Sequence, residues 1–345
     1  MNILTLARNG ASRWLLAGVV VCAAIGALSL RSWPAASIHP AELVETQPEE
    51  SNEPIQPIEA IPNLDPRKVA LGRELFGDAR LSHDNHTSCA TCHVLQKGGA
   101  DGRARSIGIH GAVGVMNAPT VLNSGLNFRQ FWDGRAATLE AQVEGPILSK
   151  VEMGSSWPEV LLKLGNSPAY ELDFRRIYGD AVQKDHVQDA IAEFERSLST
   201  PNSRFDRYLR HDTNALTSRE QAGYQLFKSL GCASCHQGMG MGGNMYQKMG
   251  VMIPYFSDHT QPSRADRGRF NVTGDPRDLY LFKVPSLRNV ELTGPYFHDG
   301  SAATLADAVR VMSKYQLGRS LGDPQVELIA AFLKTLTGEL DGKPL

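Results

Sequence analysis

Two pentapeptides carry the chemistry of this chain: Cys89-Ala90-Thr91-Cys92-His93 and Cys232-Ala233-Ser234-Cys235-His236. Cys-x-x-Cys-His is the attachment pattern of a c-type haem. Two thiols three residues apart reach the two vinyl groups of one porphyrin and become thioethers. The histidine that follows turns its imidazole to the iron as proximal ligand. One copy alone could be half of a zinc site or a redox dithiol. Two copies in matched surroundings select the haem reading. The sequence therefore predicts two covalently bound haem c groups, one on Cys89 and Cys92 with His93 on its iron, the other on Cys232 and Cys235 with His236.

The elements that position these motifs repeat as well. Gly72-x-x-Leu75-Phe76 recurs as Gly223-x-x-Leu226-Phe227, each ahead of a haem motif. Pro119-Thr120-x-x-Asn123 recurs as Pro285-Ser286-x-x-Asn289, and the run from Phe131 to Leu139 recurs from Phe297 to Leu305, both at an offset of 166 residues. Ile191-Ala192-x-Phe194-x-x-x-Leu198 recurs as Ile329-Ala330-x-Phe332-x-x-x-Leu336. Each half runs helix, haem motif, long loops and a closing amphipathic helix, the order of a cytochrome c domain. The expected class is all-α, with two tandem cytochrome c-like domains at 65–212 and 213–345 and no sheet. Asp65-Pro66 should open the first helix and Gly77 close it; Thr217-x-x-Glu220 should cap the helix before the second motif; Asp323-Pro324 should start the last helix and Gly338 stop it.

A chain of 345 residues with 42% hydrophobic content has room for two such cores. Its net charge of −2 gives no electrostatic reason to expect nucleic acid. Of five cysteines, four lie in the haem motifs and Cys22 sits in an apolar run, which leaves no pair for a structural disulfide. Covalent haem attachment takes place outside the bacterial inner membrane, so the protein should be exported to the periplasm. Arg8 and Arg13 precede an apolar stretch from Leu15 to Leu30, so residues 1–31 read as a signal peptide or an inner-membrane anchor. Residues 32–64, rich in Pro and Glu, read as an extended linker with too little apolar content to fold, and order should begin at Asp65.

The two haems should differ. An iron with one open position can activate a ligand, whereas a His/Met iron mainly moves electrons. Met239, Met241, Met245, Met249 and Met252 crowd the second motif, the first two too near His236 to pass round the porphyrin edge. Met312 lies far enough downstream and is the expected sixth ligand of the second haem; the alternative is a core methionine on the helix before Tyr315. The offset of 166 carries Met312 to Pro146, so the first haem lacks that ligand. Near Pro146 stands Val151-Glu152-Met153. A carboxylate beside an open iron can carry a proton from one peroxide oxygen to the other, although an isolated Glu152 could also be a solvated surface residue. His83 and His86 read as exposed loop residues. His298, opposite Trp132 in the repeat, reads as packed or hydrogen-bonded near the second haem.

Several stretches carry a family resemblance: Ser106-Ile107-Gly108, Asn117-Ala118-Pro119-Thr120, Gln130-Phe131-Trp132-Asp133-Gly134-Arg135, Val151-Glu152-Met153, Leu287-Arg288-Asn289-Val290 and Pro295-Tyr296-Phe297-His298. From about Asp65 onward the chain resembles the bacterial dihaem cytochrome c peroxidases, which are related to the MauG-type dihaem enzymes. The resemblance implies reduction of hydrogen peroxide to water with electrons from a small periplasmic donor, a cytochrome c or a cupredoxin. Electrons would enter at the C-terminal haem, with Met312 distal, and pass to the N-terminal peroxidatic haem. Glu152 would be the acid/base there and Trp132 the relay between the haems. His110, which has one extra residue before it here, matches a histidine that caps the peroxidatic iron in the resting oxidised state of some members. Asn117, with the backbone carbonyls of Thr293 and Pro295, matches a calcium site, whose oxygen donors suit that ion. A homodimer stays open as a further partner. Two rival activities also remain: a MauG-like oxidase of protein or aromatic substrates, which carries a tyrosine where Met312 falls, and a dihaem electron carrier without substrate chemistry.

Overall fold

Helix α1 (Pro66–Gly77) begins where the sequence places it. The Asp65 side chain accepts the Arg67 amide, and Pro66 occupies the first turn, where an N–H would have no partner. Its end departs from expectation. Gly77 has no left-handed φ and is simply the last helical residue, because Asp78 turns the chain into an extended conformation. The structure, a computed structural model, describes residues 53–59, 61–258 and 261–345. The expected signal peptide or anchor, Cys22 and the early part of the linker lie outside these. Among the described residues no helix is long and apolar enough to cross a membrane.

After α1 come α2 (Cys89–Cys92), α3 (Leu139–Leu148), α4 (Trp157–Gly165), α5 (Pro168–Tyr178) and α6 (Lys184–Ser197). α7 (Arg204–Leu209) leads on to α8 (Ser218–Ser229), α9 (Phe270–Thr273), α10 (Leu305–Leu317) and α11 (Asp323–Lys334). The helical class holds, with one correction: two antiparallel ribbons are present. β1 (Tyr246–Lys248) pairs with β2 (Leu281–Lys283), and β3 (Glu339–Leu340) with β4 (Lys343–Pro344). Strands this short carry no legible alternation. The Thr217–Glu220 capping box forms as expected. α11 ends at Lys334, before Gly338, so that Leu336 is buried from the following turn rather than from the helix.

Two helix crossings organise the interior. α1 crosses α6, and α8 crosses α11. At each crossing stands the glycine of the repeated Gly-x-x-Leu-Phe motif. A Cβ on Gly72 would overlap the Ala190 carbonyl, and one on Gly223 would overlap that of Leu328, so the missing side chain is what lets the backbones meet. Leu71, Leu75, Phe76, Val187, Ile191 and Phe194 pack around the first crossing. Tyr224, Phe227, Val326, Ile329 and Phe332 pack around the second.

The loops repeat in backbone conformation, not only in sequence. Asn123 and Asn289, Phe131 and Phe297, and Gly134 and Gly300 all have left-handed φ. Gln130 bridges to Ala136 as Tyr296 does to Ala302. The halves also meet reciprocally. The Asn117 amide donates to the His298 carbonyl at 2.8 Å, and its repeat mate, the Lys283 amide, donates to the Trp132 carbonyl at 2.8 Å. Such exchange, in which one residue contacts a second and their mates do the same, is the mark of a two-fold relation. It brings the Trp132 and His298 rings to 6.5 Å.

The linker expectation needs correction at its end. Ile55 and Ile58 are both fully buried. Ile58 donates its amide to the Asp206 carboxylate at 3.1 Å, and Glu53 pairs with Lys228 at 3.0 Å. Two isoleucines in a Pro/Glu-rich run cannot form a core, but they can dock on one that exists already; Ile55 joins the core around the second crossing. The described residues form one compact unit.

Candidate functional site

The two Cys-x-x-Cys-His motifs sit on single turns held by local hydrogen bonds. In the first, the Ser88 amide donates to the Thr91 hydroxyl at 3.0 Å. Each histidine is then anchored through one nitrogen. His93 Nδ1 meets the Gly99 carbonyl at 3.1 Å, and His236 Nδ1 meets the Met241 carbonyl at 3.2 Å. A carbonyl can only accept, so Nδ1 carries the proton and Nε2 is left for a metal. Burial pushes both imidazoles down from their usual range, His236 to about 4, which keeps them in the neutral ligating form. Phe76 and Phe227 stand 6.4 Å from their respective histidine rings.

The donor set fits haem better than zinc. A zinc ion takes four donors. Among the described residues, the one group of three or more His, Cys, Asp or Glu donors close enough to share an ion is Asp266, His298 and Asp299. Neither cysteine pair belongs to it. Burial pushes the Cys89 thiol up to about 12 and the Cys232 thiol up to about 11, which disfavours the thiolate that a zinc site or a redox dithiol uses. Beside His236 lies a cavity of about 500 Å³ lined by Cys232, Cys235, Met312, Ile329 and Leu333, suited to a large apolar ring. Beside His93 lies a narrower cleft of about 50 Å³ lined by Cys89, Cys92, Pro146, Glu152 and Glu195.

Most of the expected site residues converge on these two spaces. Met312, on α10, shares the larger cavity with His236. Tyr315 is not among its lining residues and packs against Tyr255 instead, ring centroids 4.9 Å apart. Glu152 shares the cleft with His93 and is half-buried, with Pro146 of α3 beside it where the repeat puts Met312 in the other half. Met153 is buried and also lines the cleft. Trp132 donates its indole N–H to the Asn117 carbonyl at 2.9 Å. Asn117, Thr293 and Pro295 all line the larger cavity, and the Asn117 side-chain nitrogen donates to the Arg103 carbonyl at 2.8 Å. His298 is buried, with Nε2 2.7 Å from Asp266. His83 and His86 are exposed, His83 against Glu159.

One expected residue stands apart. The His110 side chain is 72% exposed, with Nδ1 3.8 Å from an Asp84 oxygen, and does not line the cleft. Two residues absent from the sequence reading join the site. Lys283 is buried on the larger cavity, burial brings its ammonium down to about 8, and it pairs with no carboxylate among the described residues. Glu195 is buried in the cleft. The repeat held a signal for both: Lys283 is the mate of Asn117, and Glu195 the mate of Leu333.

The family model for di-haem cytochrome c peroxidase matches residues 66–214. The chain is 49% identical over 295 residues to the cytochrome c peroxidase Ccp of Escherichia coli strain K12. That match covers 85% of this chain and 63% of the relative, so the chain spans just under two thirds of that protein's length. It is 48% identical over 290 residues to the cytochrome c551 peroxidase of Nitrosomonas europaea, covering 84% of this chain and 85% of the other. Among solved structures it superposes on a MauG-like protein associated with microbial copper homeostasis, with a TM-score of 0.73 and 28% identity, covering 86% and 95% of the two chains. With two buried histidines, paired cysteines beside each and these relatives, the chain belongs to the di-haem cytochrome c peroxidase family.

Proposed function

We propose that this protein is a periplasmic cytochrome c peroxidase that reduces hydrogen peroxide to water with electrons from a small soluble donor, a cytochrome c or a cupredoxin. One observation carries the reading: Glu152 shares the His93 cleft with Pro146, whereas the matching position of the other half, Met312, shares the His236 cavity. The first cleft thus offers an acid, with Met153 on its wall read as a packing residue and Pro146 where the other half has Met312, and the second cavity offers Met312 and no acid. Cys89, Cys92 and His93, and Cys232, Cys235 and His236, would each hold a haem c, which would supply an iron for electron exchange and peroxide chemistry. Glu152 takes the proton from one peroxide oxygen and returns it to the other, so that the departing oxygen leaves as water. Trp132, between the halves and fixed by its bond to Asn117, is the relay from the C-terminal to the N-terminal haem. Lys283 would offer a positive charge to an anionic group held in the larger cavity.

The two cores support two haem domains, read from the sequence as 65–212 and 213–345, with α7 packing on the second core through Phe205. Asn117, whose side-chain nitrogen donates to the Arg103 carbonyl, would keep its oxygen for a calcium ion, with the Thr293 and Pro295 carbonyls as further oxygen donors. The test of the whole reading is peroxide consumption by haem-loaded protein supplied with a reduced small cytochrome or cupredoxin. A carrier would be oxidised by peroxide only at the rate of the donor alone.

Two variants separate the haems. Met312→Ala should abolish the Met–iron charge-transfer band and lower the potential of the C-terminal haem, because thioether ligation favours ferrous iron; a band that survives would assign the ligand to another methionine. His110 lies on an exposed turn beside Gly111, outside the cleft, and must swing inward to cap the first iron. His110→Gly should therefore give a high-spin first haem in the oxidised protein without prior reduction, as read by electron paramagnetic resonance. A wild-type protein that is already high-spin there would remove His110 from the resting iron.

A further inference from the structure

Glu195 is the deepest charge-bearing side chain of the His93 cleft. It is 5% exposed, and its Oε2 is buried without a hydrogen-bond partner. α6 places it on the wall that also bears Cys89, Cys92, His93 and Glu152. A buried carboxyl oxygen without a partner disfavours the charged form, so the group is poised to hold a proton. The repeat sharpens the point. Along the closing helices Ile191 matches Ile329 and Phe194 matches Phe332, so Glu195 matches Leu333, an apolar wall residue of the other cavity. The half with the open iron has an acid where the electron-accepting half has a leucine.

We propose that Glu195 is the proton partner of the first haem, taking up one proton when that haem gains an electron and releasing it when the electron leaves. This rests on the reading that His93 carries a haem iron. The electron comes from the donor of the peroxidase reaction and the proton from water; the carboxylate becomes a carboxylic acid and no other bond changes. The coupling follows from charge. Reduction removes one positive charge from a site of low polarity, and protonation of a nearby carboxylate restores the balance.

The groups around Glu195 leave this role to it. Burial pushes its carboxyl up to about 8, against the pull of the Arg196 guanidinium and with a contribution from Glu140 of α3. Arg196 itself is held by Glu140 and Glu193. On α1, which packs across α6, Lys68 is paired with Asp189 and Arg73 lies over the Phe194 ring. The cleft contributes Cys89, Cys92, His93 and Glu152, none of them a cation partner. Glu195 is thus neutral at neutral pH beside reduced iron. Oxidised iron favours its ionised form, so the potential of the first haem should fall as pH rises, up to a tenfold change in the reduction equilibrium per pH unit.

The experiment is a spectroelectrochemical titration of both haems from pH 6 to 9 in wild type, Glu195→Gln and Glu195→Leu, with haem content checked by pyridine haemochrome. The leucine variant copies the other half, which guards against a glutamine variant that fails to load. Expected are a pH-dependent first potential in wild type, its loss in both variants, and an unchanged second potential throughout. The reduced-minus-oxidised infrared spectrum should contain a carboxylic-acid C=O band that both variants lack. A slope equal to wild type in the loaded variants, or a flat wild type, overturns the proposal and assigns proton uptake, if any, to the haem carboxylates. Absence of haem from the first site in wild type would instead overturn the reading on which it rests.

Discussion

Glu152→Gln should lower peroxide turnover by about 10²–10⁴, the usual contribution of a general acid/base, while both haems remain attached and the C-terminal haem is reduced at its normal rate. The change keeps the shape of the side chain and removes its ability to shuttle a proton near neutral pH. Glu152 touches the first cleft, with His93 and both attachment cysteines, and none of the second cavity. Its backbone is fixed independently of its carboxyl, the Glu152 carbonyl accepting the Ile109 amide at 2.8 Å and its amide donating to Ser149 at 3.0 Å, so the substitution leaves the loop in place. Steady-state peroxide consumption at saturating donor, beside stopped-flow reduction of the second haem, separates the two effects. A solvated surface glutamate predicts a change within about twofold, as for substitutions away from a site. Retained turnover with both haems loaded would take Glu152 out of the mechanism.

Asp206→Ala should be the most damaging change to stability, costing about 3–5 kcal/mol, the usual penalty for breaking a buried ion pair. Arg288 and Asp206 meet at 2.8 Å with side chains 1% and 0% exposed. Without Asp206 the guanidinium keeps only the Gln56 and Met239 carbonyls and the Ser203 hydroxyl, with no opposite charge. Asp206 also accepts the amides of Ile58 and Ser203, both at 3.1 Å. One carboxylate therefore holds the docked N-terminal segment, the start of α7 and the loop after the second haem motif. Urea unfolding followed by far-ultraviolet circular dichroism measures the loss. The double variant Asp206→Leu/Arg288→Met should recover part of it, since no charge is then left buried. A single-variant loss below about 1 kcal/mol, the scale of a surface pair, would show that water reaches the pair.

The haem chemistry was legible along the chain because covalent attachment requires contiguous residues: two cysteines and a histidine must lie within one turn, and nothing distant can replace them. The helix starts were equally local. Asp65-Pro66 and Thr217 to Glu220 cap helices through bonds that span two or three residues. The duplicated fold was legible because a repeat compares the chain with itself. Its glycines, Gly72 and Gly223, acquire their reason only at the helix crossings.

What the sequence could not supply depends on residues far apart. Low apolar content predicted a free linker, yet Ile55 and Ile58 are buried because the surface that receives them is built around residues from Phe205 onward. Gly77 marked the last residue of its helix without the left-handed cap, because Asp78 is extended, and Gly338 was a poor guide because α11 stops at Lys334. His110 matched by motif, but its turn stands away from the cleft, a position set by pairing between Ile107 and Val113 rather than by the motif. Lys283 and Glu195 look like ordinary surface charges when read in order. Only packing reveals that one faces the larger cavity and the other closes the His93 cleft, because burial depends on which helices cross and not on residue type. The sequence by itself determined two haem-attachment motifs and the repeat that carries them; the tertiary structure decided which charges share the space beside them.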